Sequence, residues 1–124
     1  GVAGGAALVL ASFAGLPAVT AGLRTAPSTL LWWLPLVAVV AASEELVLRG
    51  ALFAALETSH GEVAAVAVTA VLFALVHLPL YGLGAMPIDL AVGFLLGGLR
   101  VVSGGVTAPL LAHVLADVAT AWLP

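Results

Sequence analysis

Apolar stretches alternate with short polar breaks along the whole chain, and this alternation predicts a set of helices. A helix that crosses a lipid bilayer needs about 20 consecutive apolar residues, and the apolar stretches approach or reach this length. Pro35, Pro87 and Pro109 each stand near the start of such a stretch, in the first-turn position that proline favours. The predicted helices run over about 1–23, 35–56, 63–80, 87–100 and 107–123.

The composition places these helices in a membrane. Of the 124 residues, 64% are hydrophobic and 7% carry charge, whereas a soluble domain has about 45–50% apolar and about 25% charged residues. So few polar side chains cannot cover the surface of a folded domain in water. We therefore expect an all-α, polytopic integral membrane helix bundle with about five transmembrane helices. It would form one membrane domain over residues 1–124, with a motif-bearing core at 35–123.

The charge balance and the lack of cysteine exclude several classes of protein. A formal net charge of −3 with three basic residues leaves no basic patch for nucleic acid. Without cysteine there is no disulfide, thiolate metal site or cysteine nucleophile. The abundance of Ala, Val, Leu and Gly is typical of bacterial or archaeal membrane proteins. We expect a multi-pass protein of a prokaryotic cell membrane, in contact with the lipid bilayer and with no nucleic-acid partner.

The charged residues and histidines form two sets of six. One set falls in the polar breaks or near helix ends, and we expect it to be solvated surface. The other falls inside apolar helices, where a charged side chain facing lipid costs about 2.5–3.5 kcal/mol. We expect that set to face the bundle interior and to mark a functional site. The solvated set is Arg24, Glu57, His60, Glu62, Asp89 and Arg100, and the interior set is Glu44, Glu45, Arg49, His77, His113 and Asp117.

The two glutamates of the interior set differ in their spacing to Arg49. Glu45 precedes Arg49 by four residues, the favoured order for an ion pair on a helix, and we interpret this pair as structural neutralisation. Glu44 points about 100° away around the helix and has no cation of its own there. A partly desolvated carboxylate of this kind is suited to proton transfer.

Phe73 and His77 share a helix face, as do His113 and Asp117, because the members of each pair are four residues apart. A carboxylate one turn from a histidine can fix the tautomer and orientation of its ring. Two chemistries fit the set. In the first, Glu44 is a general base on water, His77 shares the proton and His113 donates to the oxyanion of a peptide carbonyl. In the second, a divalent metal such as zinc activates the water. Its ligands would be Glu44, His77, His113 and Asp117.

Three motifs, in this order along the chain, resemble those of a known family. Glu-Glu-Leu-Val-Leu-Arg at 44–49 resembles the Glu-Glu-x-x-x-Arg motif of the CAAX protease and bacteriocin-processing (CPBP) family. This family is also called the type II CAAX prenyl endopeptidase or Abi family. Phe-Ala-Leu-Val-His at 73–77 resembles its Phe-x-x-x-His motif, and His-Val-Leu-Ala-Asp at 113–117 resembles its His-x-x-x-Asn/Asp motif. The resemblance covers residues 44–117, about three-fifths of the chain.

The resemblance implies an all-helical intramembrane endopeptidase that hydrolyses a peptide or protein substrate in the membrane. The substrate would be a prenylated CAAX-like tail or a leader- or bacteriocin-type peptide; in eukaryotic relatives the last three residues after a prenylated cysteine are removed. Glu44 would be the water-activating base, with His77 assisting. His113 and Asp117 would form an oxyanion-stabilising or metal-binding pair, since members are described both as metalloproteases and as metal-free, glutamate-dependent enzymes. The supporting residues would be Glu45, Arg49 and Phe73.

The last position of the third motif is Asp117 in this chain, whereas some members have asparagine there. An asparagine can donate a hydrogen bond to an oxyanion, whereas an ionised aspartate only accepts. Asp117 is therefore better suited to orient His113 or to bind a metal. An alternative function is a non-catalytic membrane scaffold for bacteriocin self-immunity or partner binding, and a weaker one is a proton or ion pathway. A Glu44→Gln variant tests the peptidase hypothesis, which predicts that the variant folds and inserts but no longer hydrolyses peptide.

Overall fold

The computed structural model describes residues 27–120, and all regular structure in this range is helical. Four α-helices and one π-helical segment follow one another there without a β-strand. The all-α prediction is confirmed for this part of the chain, and the predicted helix at 1–23 lies outside it. The elements are α1 (Pro27–Glu45), the π segment (Leu46–Leu52), α2 (Phe53–Tyr81), α3 (Met86–Ser103) and α4 (Thr107–Thr120).

Helix α1 already includes Pro27 and does not begin at Pro35 as the pattern predicted. Pro35 lies inside the helix, which membrane helices tolerate when neighbouring groups satisfy the freed carbonyl. Residues 27–34, which the pattern placed before this helix, therefore belong to it.

Helix α2 is interrupted at Gly61, where the chain reverses direction. Gly61 has a φ of 83°, a left-handed conformation that glycine adopts without steric cost. Arg49 and Phe73 are equally far from Gly61 along the chain and lie in contact, so the segments before and after Gly61 form an antiparallel hairpin. The loop predicted at 57–62 is reduced to this residue, because the helix continues up to it.

Helix α3 packs closely against the second half of α2, and two glycines permit the approach. A Cβ atom at Gly93 would lie 2.8 Å from Cα of Ala70, and one at Gly97 would lie 3.0 Å from Cγ1 of Val66. The later glycine meets the earlier partner, so the two helices are antiparallel. Small residues four apart allow such backbone contact between membrane helices.

Two helices among the described residues are long and apolar enough to cross a membrane, Trp33–Tyr81 and Met86–Ser103. The first of them contains the reversal at Gly61. The apolar helix Thr107–Ala119 is about 20 Å long at 1.5 Å per residue, short of the hydrocarbon core of about 30 Å. The predicted number of about five transmembrane helices is therefore not confirmed in this part of the chain.

Many large apolar side chains lie on the outside of the bundle, and several polar or charged side chains are buried inside it. Val63, Leu80 and Val102 are 85%, 72% and 88% exposed. Exposed apolar surface on this scale marks a contact with membrane or with protein. The buried polar or charged residues are Glu45, Arg49, Thr69, Asp89 and His113.

Candidate active site

The three motif segments, which are far apart in the sequence, meet inside the bundle. Segment 44–49 spans the junction of α1 and the π segment, 73–77 lies in the second half of α2, and 113–117 lies in α4. The hairpin at Gly61 places the first two side by side, and the packing of α4 against α1 adds the third. The residues brought together are Glu44, Glu45, Arg49, His77, His113 and Asp117.

Glu45 lies at the centre of the buried part of the site. Its Oε1 accepts hydrogen bonds from Nη1 of Arg49 at 2.8 Å and from Nδ1 of His113 at 3.0 Å. The Glu45 and Arg49 side chains are fully buried. The predicted ion pair within the helix is present, and the same carboxylate also fixes the ring of His113. That second contact joins residues 68 positions apart, so spacing within a helix could not reveal it.

Arg49 connects the π segment to both neighbouring helices. Its Nη2 donates to the carbonyl oxygen of Gly93 at 3.2 Å, and its guanidinium lies over the ring of Phe73, 4.8 Å from the centroid. A cation above an aromatic face is attracted by the ring electrons. The close approach of α3 at Gly93 brings this carbonyl within reach of the guanidinium.

His77 is held by a backbone carbonyl and two aromatic rings. Its Nδ1 lies 2.9 Å from the carbonyl oxygen of Phe73, and because a carbonyl only accepts, Nδ1 carries the hydrogen. The imidazole packs against the rings of Phe73 and Tyr81, at centroid distances of 4.3 and 5.7 Å. The other ring nitrogen, Nε2, faces Glu44.

Glu44 faces the Nε2 atoms of both histidines. Its Oε2 lies 3.9 Å from Nε2 of His77 and 3.9 Å from Nε2 of His113. These distances exceed that of a direct hydrogen bond, but a water with hydrogen bonds of about 2.8 Å to each partner bridges such a gap. The Glu44 side chain is 22% exposed, so water can reach it. The arrangement can hold a water between one carboxylate and two imidazoles.

Asp117 lies on the same side of His113 as Glu44. Its Oδ2 is 3.6 Å from Nε2 of His113, and its side chain is 39% exposed. The hydrogen bond that orients the His113 ring is made by Glu45, at the opposite nitrogen. Asp117 is placed to interact with the same nitrogen that faces Glu44.

The four predicted metal ligands lie around Oε2 of Glu44 and Nε2 of His113. Among residues 27–120, no group of three or more His, Cys, Asp or Glu side chains is arranged to hold a metal ion. His113 donates from Nδ1 to Glu45, so Nε2, which faces Glu44 and Asp117, is the ring nitrogen that a metal would bind. A metal held by Glu44, His77, His113 and Asp117 stays a prediction.

Two residues that were predicted to be solvated are mostly or fully buried in the bundle. The Arg100 side chain is 15% exposed, and Asp89 is 9% exposed, with an Oδ2 that has no hydrogen-bond partner in the described part of the chain. The prediction of solvated surface is wrong for both. Each lies three or four residues from Gly93 or Gly97, on one helix face. The glycines marked that face as packed, which is the signal that could have revealed both residues.

The sequence model of one protein family matches most of the chain. Its description is "Type II CAAX prenyl endopeptidase Rce1-like", and it matches residues 26–119, a range that includes all three motif segments. Comparison with curated proteins and comparison with solved structures each find no match. Since the family match spans about three-quarters of the sequence, the chain belongs to the Rce1-like family of type II CAAX prenyl endopeptidases.

Proposed function

We propose that this protein is an intramembrane endopeptidase in which Glu44 activates a water for attack on a peptide bond. Membership of the Rce1-like family supports a CAAX-type intramembrane protease in general, and the apolar helices point to an integral membrane protein. The observation that carries the mechanism is the position of the Glu44 carboxylate, 3.9 Å from Nε2 of both His77 and His113.

In the first step, a water between Glu44 and the histidines gives a proton to Oε2 of Glu44 while its oxygen attacks the peptide carbonyl carbon. The electron pair of the C=O π bond moves to oxygen and forms a tetrahedral oxyanion. His77 is suited to hold the water, because its Nδ1 hydrogen is bonded to the Phe73 carbonyl and Nε2 of the neutral ring accepts. A well-placed general base accelerates such a step by about 10²–10⁴-fold.

His113 is suited to stabilise the oxyanion. The protonated ring has an Nε2–H group to donate to the developing negative charge, and such donors are among the largest contributions to acyl-transfer catalysis. The Glu45 carboxylate at Nδ1 stabilises the positive charge on the ring and holds its orientation, as the carboxylate of a catalytic triad does. Asp117, 3.6 Å from Nε2, adds a second negative charge beside the same ring.

In the last step the tetrahedral intermediate collapses and the C–N bond breaks. The proton that Glu44 accepted is transferred to the leaving amine, so the carboxylate is regenerated. One water is consumed, the products are a carboxylic acid and an amine, and no covalent enzyme intermediate forms. Every proton and electron pair in this sequence is supplied by the water, the substrate or the described side chains.

The substrate class follows from the family and from the surroundings of the site. A protease of this family implies a peptide substrate in a membrane, and we propose a prenylated CAAX-like tail or a leader- or bacteriocin-type peptide. The apolar outer surface of the helices suits a substrate that arrives from the bilayer. A multi-pass position in a prokaryotic cell membrane belongs to the same proposal.

The test compares peptide termini in membranes of cells that make the full-length protein or its Glu44→Gln variant at matched expression. Glutamine has almost the same size but does not take a proton from water, so we expect the rate of hydrolysis to fall by about 10²–10⁴-fold. The termini produced by the wild type should then be lost. Glu62→Gln is the matched control, because Glu62 is exposed and lies outside the site; its termini should match the wild type.

Two other outcomes would overturn parts of the proposal. Identical termini with and without Glu44 would remove the peptidase function and favour a non-catalytic scaffold. Inhibition by 1,10-phenanthroline that added zinc reverses would replace the metal-free mechanism by the metal-bound one. Hydrolysis that resists the chelator and depends on Glu44 supports the metal-free mechanism.

A further inference from the structure

The π segment leaves one backbone carbonyl without its ordinary helical donor. In an α-helix, the amide of residue 53 bonds to the carbonyl of residue 49. In this structure the Phe53 amide bonds instead to the carbonyl oxygens of Leu48 and Gly50, and passes over that of Arg49. Short π segments are rare and occur frequently at functional sites.

Arg100 donates to the carbonyl that the Phe53 amide passes over. Its Nε lies 3.0 Å from the Arg49 oxygen. Its guanidinium also lies over the Phe53 ring, 5.0 Å from the centroid, and its Nη2 is 3.8 Å from Oε2 of Glu57. Because Arg49 is 0% exposed, its carbonyl has no bulk water to replace this donor, and an unsatisfied buried acceptor is costly.

This hydrogen bond is connected to the reacting groups through Arg49. The Arg49 backbone is held by Arg100, while the Arg49 side chain donates to Glu45 at 2.8 Å. Glu45 in turn accepts from Nδ1 of His113 at 3.0 Å, and the Nε2 of that ring faces Glu44. A shift of the Arg49 backbone therefore displaces each later member of the series.

We propose that Arg100 is a positioning residue that holds the π segment in the shape needed to align Arg49, Glu45 and His113. This role rests on the proposed peptidase function. The contact that holds the π segment is the hydrogen bond from Arg100 to the Arg49 carbonyl and not the ion pair with Glu57. The Glu57 side chain is 34% exposed and 3.8 Å away, and partly exposed ion pairs contribute little.

Arg100→Gln and Arg100→Met form a matched pair of variants for the test. The side-chain nitrogen of glutamine occupies the same place along the side chain as Nε of arginine and can donate to the carbonyl. Methionine has an equally long side chain and no donor. Neither variant has the guanidinium, so the main difference between them is whether the side chain can donate a hydrogen bond to the Arg49 carbonyl. Glu57→Gln, which removes only the ion pair, is the third variant, and all are made in the full-length protein.

We expect Arg100→Met to lower kcat by about tenfold or more, the factor that one lost buried hydrogen bond gives. KM should change by less than about threefold, because Arg100 touches none of the reacting groups. Arg100→Gln and Glu57→Gln should both keep kcat within about threefold of the wild type. Hydrogen exchange in peptides that cover Leu46–Phe53 should be about tenfold faster in Arg100→Met and unchanged in Arg100→Gln.

The proposal is overturned if the Gln and Met variants lose kcat equally, because the charge and not the hydrogen bond would then matter. It is also overturned if exchange in the π segment is the same in Arg100→Met and the wild type. Should the wild type hydrolyse no peptide, that result counts against the peptidase function. The exchange measurement would still decide whether Arg100 holds the π segment, since it needs no substrate.

Discussion

Glu44 and Glu45 are adjacent in the sequence but lie in opposite surroundings. Glu45 is fully buried, and one of its oxygens accepts from both Arg49 and His113. Glu44 is partly exposed and faces Nε2 of His77 and of His113 across gaps of 3.9 Å. We call Glu45, Arg49 and Nδ1 of His113 the fixed side of the site, and Glu44 with the two Nε2 atoms the open side.

Because of this difference, one helix junction carries a buried carboxylate fixed by hydrogen bonds and a second carboxylate that water can reach. Successive residues on a helix point about 100° apart, so neighbouring side chains meet different partners. On the fixed side, two charge-assisted hydrogen bonds hold the Glu45 oxygen in place. On the open side, Glu44 keeps an oxygen that water can reach, which a general base requires. His113 belongs to both sides. The hydrogen bond from its Nδ1 to Glu45 fixes the ring, and the fixed ring holds Nε2 in place opposite Glu44.

Breaking the fixed side should produce the largest loss of stability. Glu45→Gln leaves the Arg49 cation buried without its counter-charge, and loss of one partner of a buried ion pair costs about 3–5 kcal/mol. We expect the free energy of unfolding to fall by this amount, as measured by SDS titration of the purified protein in mixed micelles. Glu44→Gln on the open side should change it by less than about 1 kcal/mol.

A double variant distinguishes the effect of the two buried charges from the effect of the volume that their side chains fill. Glu45→Leu combined with Arg49→Met removes both charges together, and apolar replacements of a buried pair are often neutral or stabilising. It should therefore recover part of the stability that Glu45→Gln loses. A Glu44→Gln variant that unfolds more easily than Glu45→Gln would contradict the division into a fixed and an open side.

Features that arise within a single helix could be predicted from the sequence. The helices themselves follow from the alternation of apolar stretches and polar breaks. The Glu45–Arg49 ion pair and the shared face of Gly93 and Gly97 follow from the repeat of 3.6 residues per turn. Each of these depends on residues a few positions apart, so the sequence contains the necessary information.

Contacts between helices could not be predicted in the same way. The hydrogen bonds of Glu45 with His113 and of Arg100 with Arg49 join residues 68 and 51 positions apart. They depend on how the helices cross and on the π segment, whose sequence contains one residue that weakens helices, Gly50, and otherwise favours an ordinary α-helix. Arg100 was misplaced because helix ends usually meet water, whereas this end packs against a neighbouring helix.

Gly93→Ala, a change in helix α3, should weaken the hydrogen bond between this helix and Arg49 of the fixed side. The added Cβ would lie 2.8 Å from Cα and 2.9 Å from the carbonyl oxygen of Ala70, so backbone must move, and overpacking of this kind costs about 1–3 kcal/mol. The same movement draws the Gly93 carbonyl away from Nη2 of Arg49, now at 3.2 Å. Gly98→Ala is the control, because a Cβ there meets nothing within 4 Å. Equal losses in the SDS titration would rule out close packing as the cause.

Asp117 lies at the edge of the open side, and its replacement should have the smallest effect. A hydrogen bond to a charged group contributes about 1.5–3 kcal/mol, and the contact with His113 is weaker, at 3.6 Å and with the Asp117 side chain 39% exposed. We therefore expect Asp117→Leu to lower kcat by about tenfold at most. Asp117→Asn keeps a polar side chain of the same size and adds a donor for the oxyanion, so kcat should stay within about threefold of the wild type. Steady-state kinetics on both variants show whether the polarity or the negative charge of this side chain matters. If Asn and Leu lose activity equally, the negative charge beside His113 is needed, and the open side then includes a second essential carboxylate.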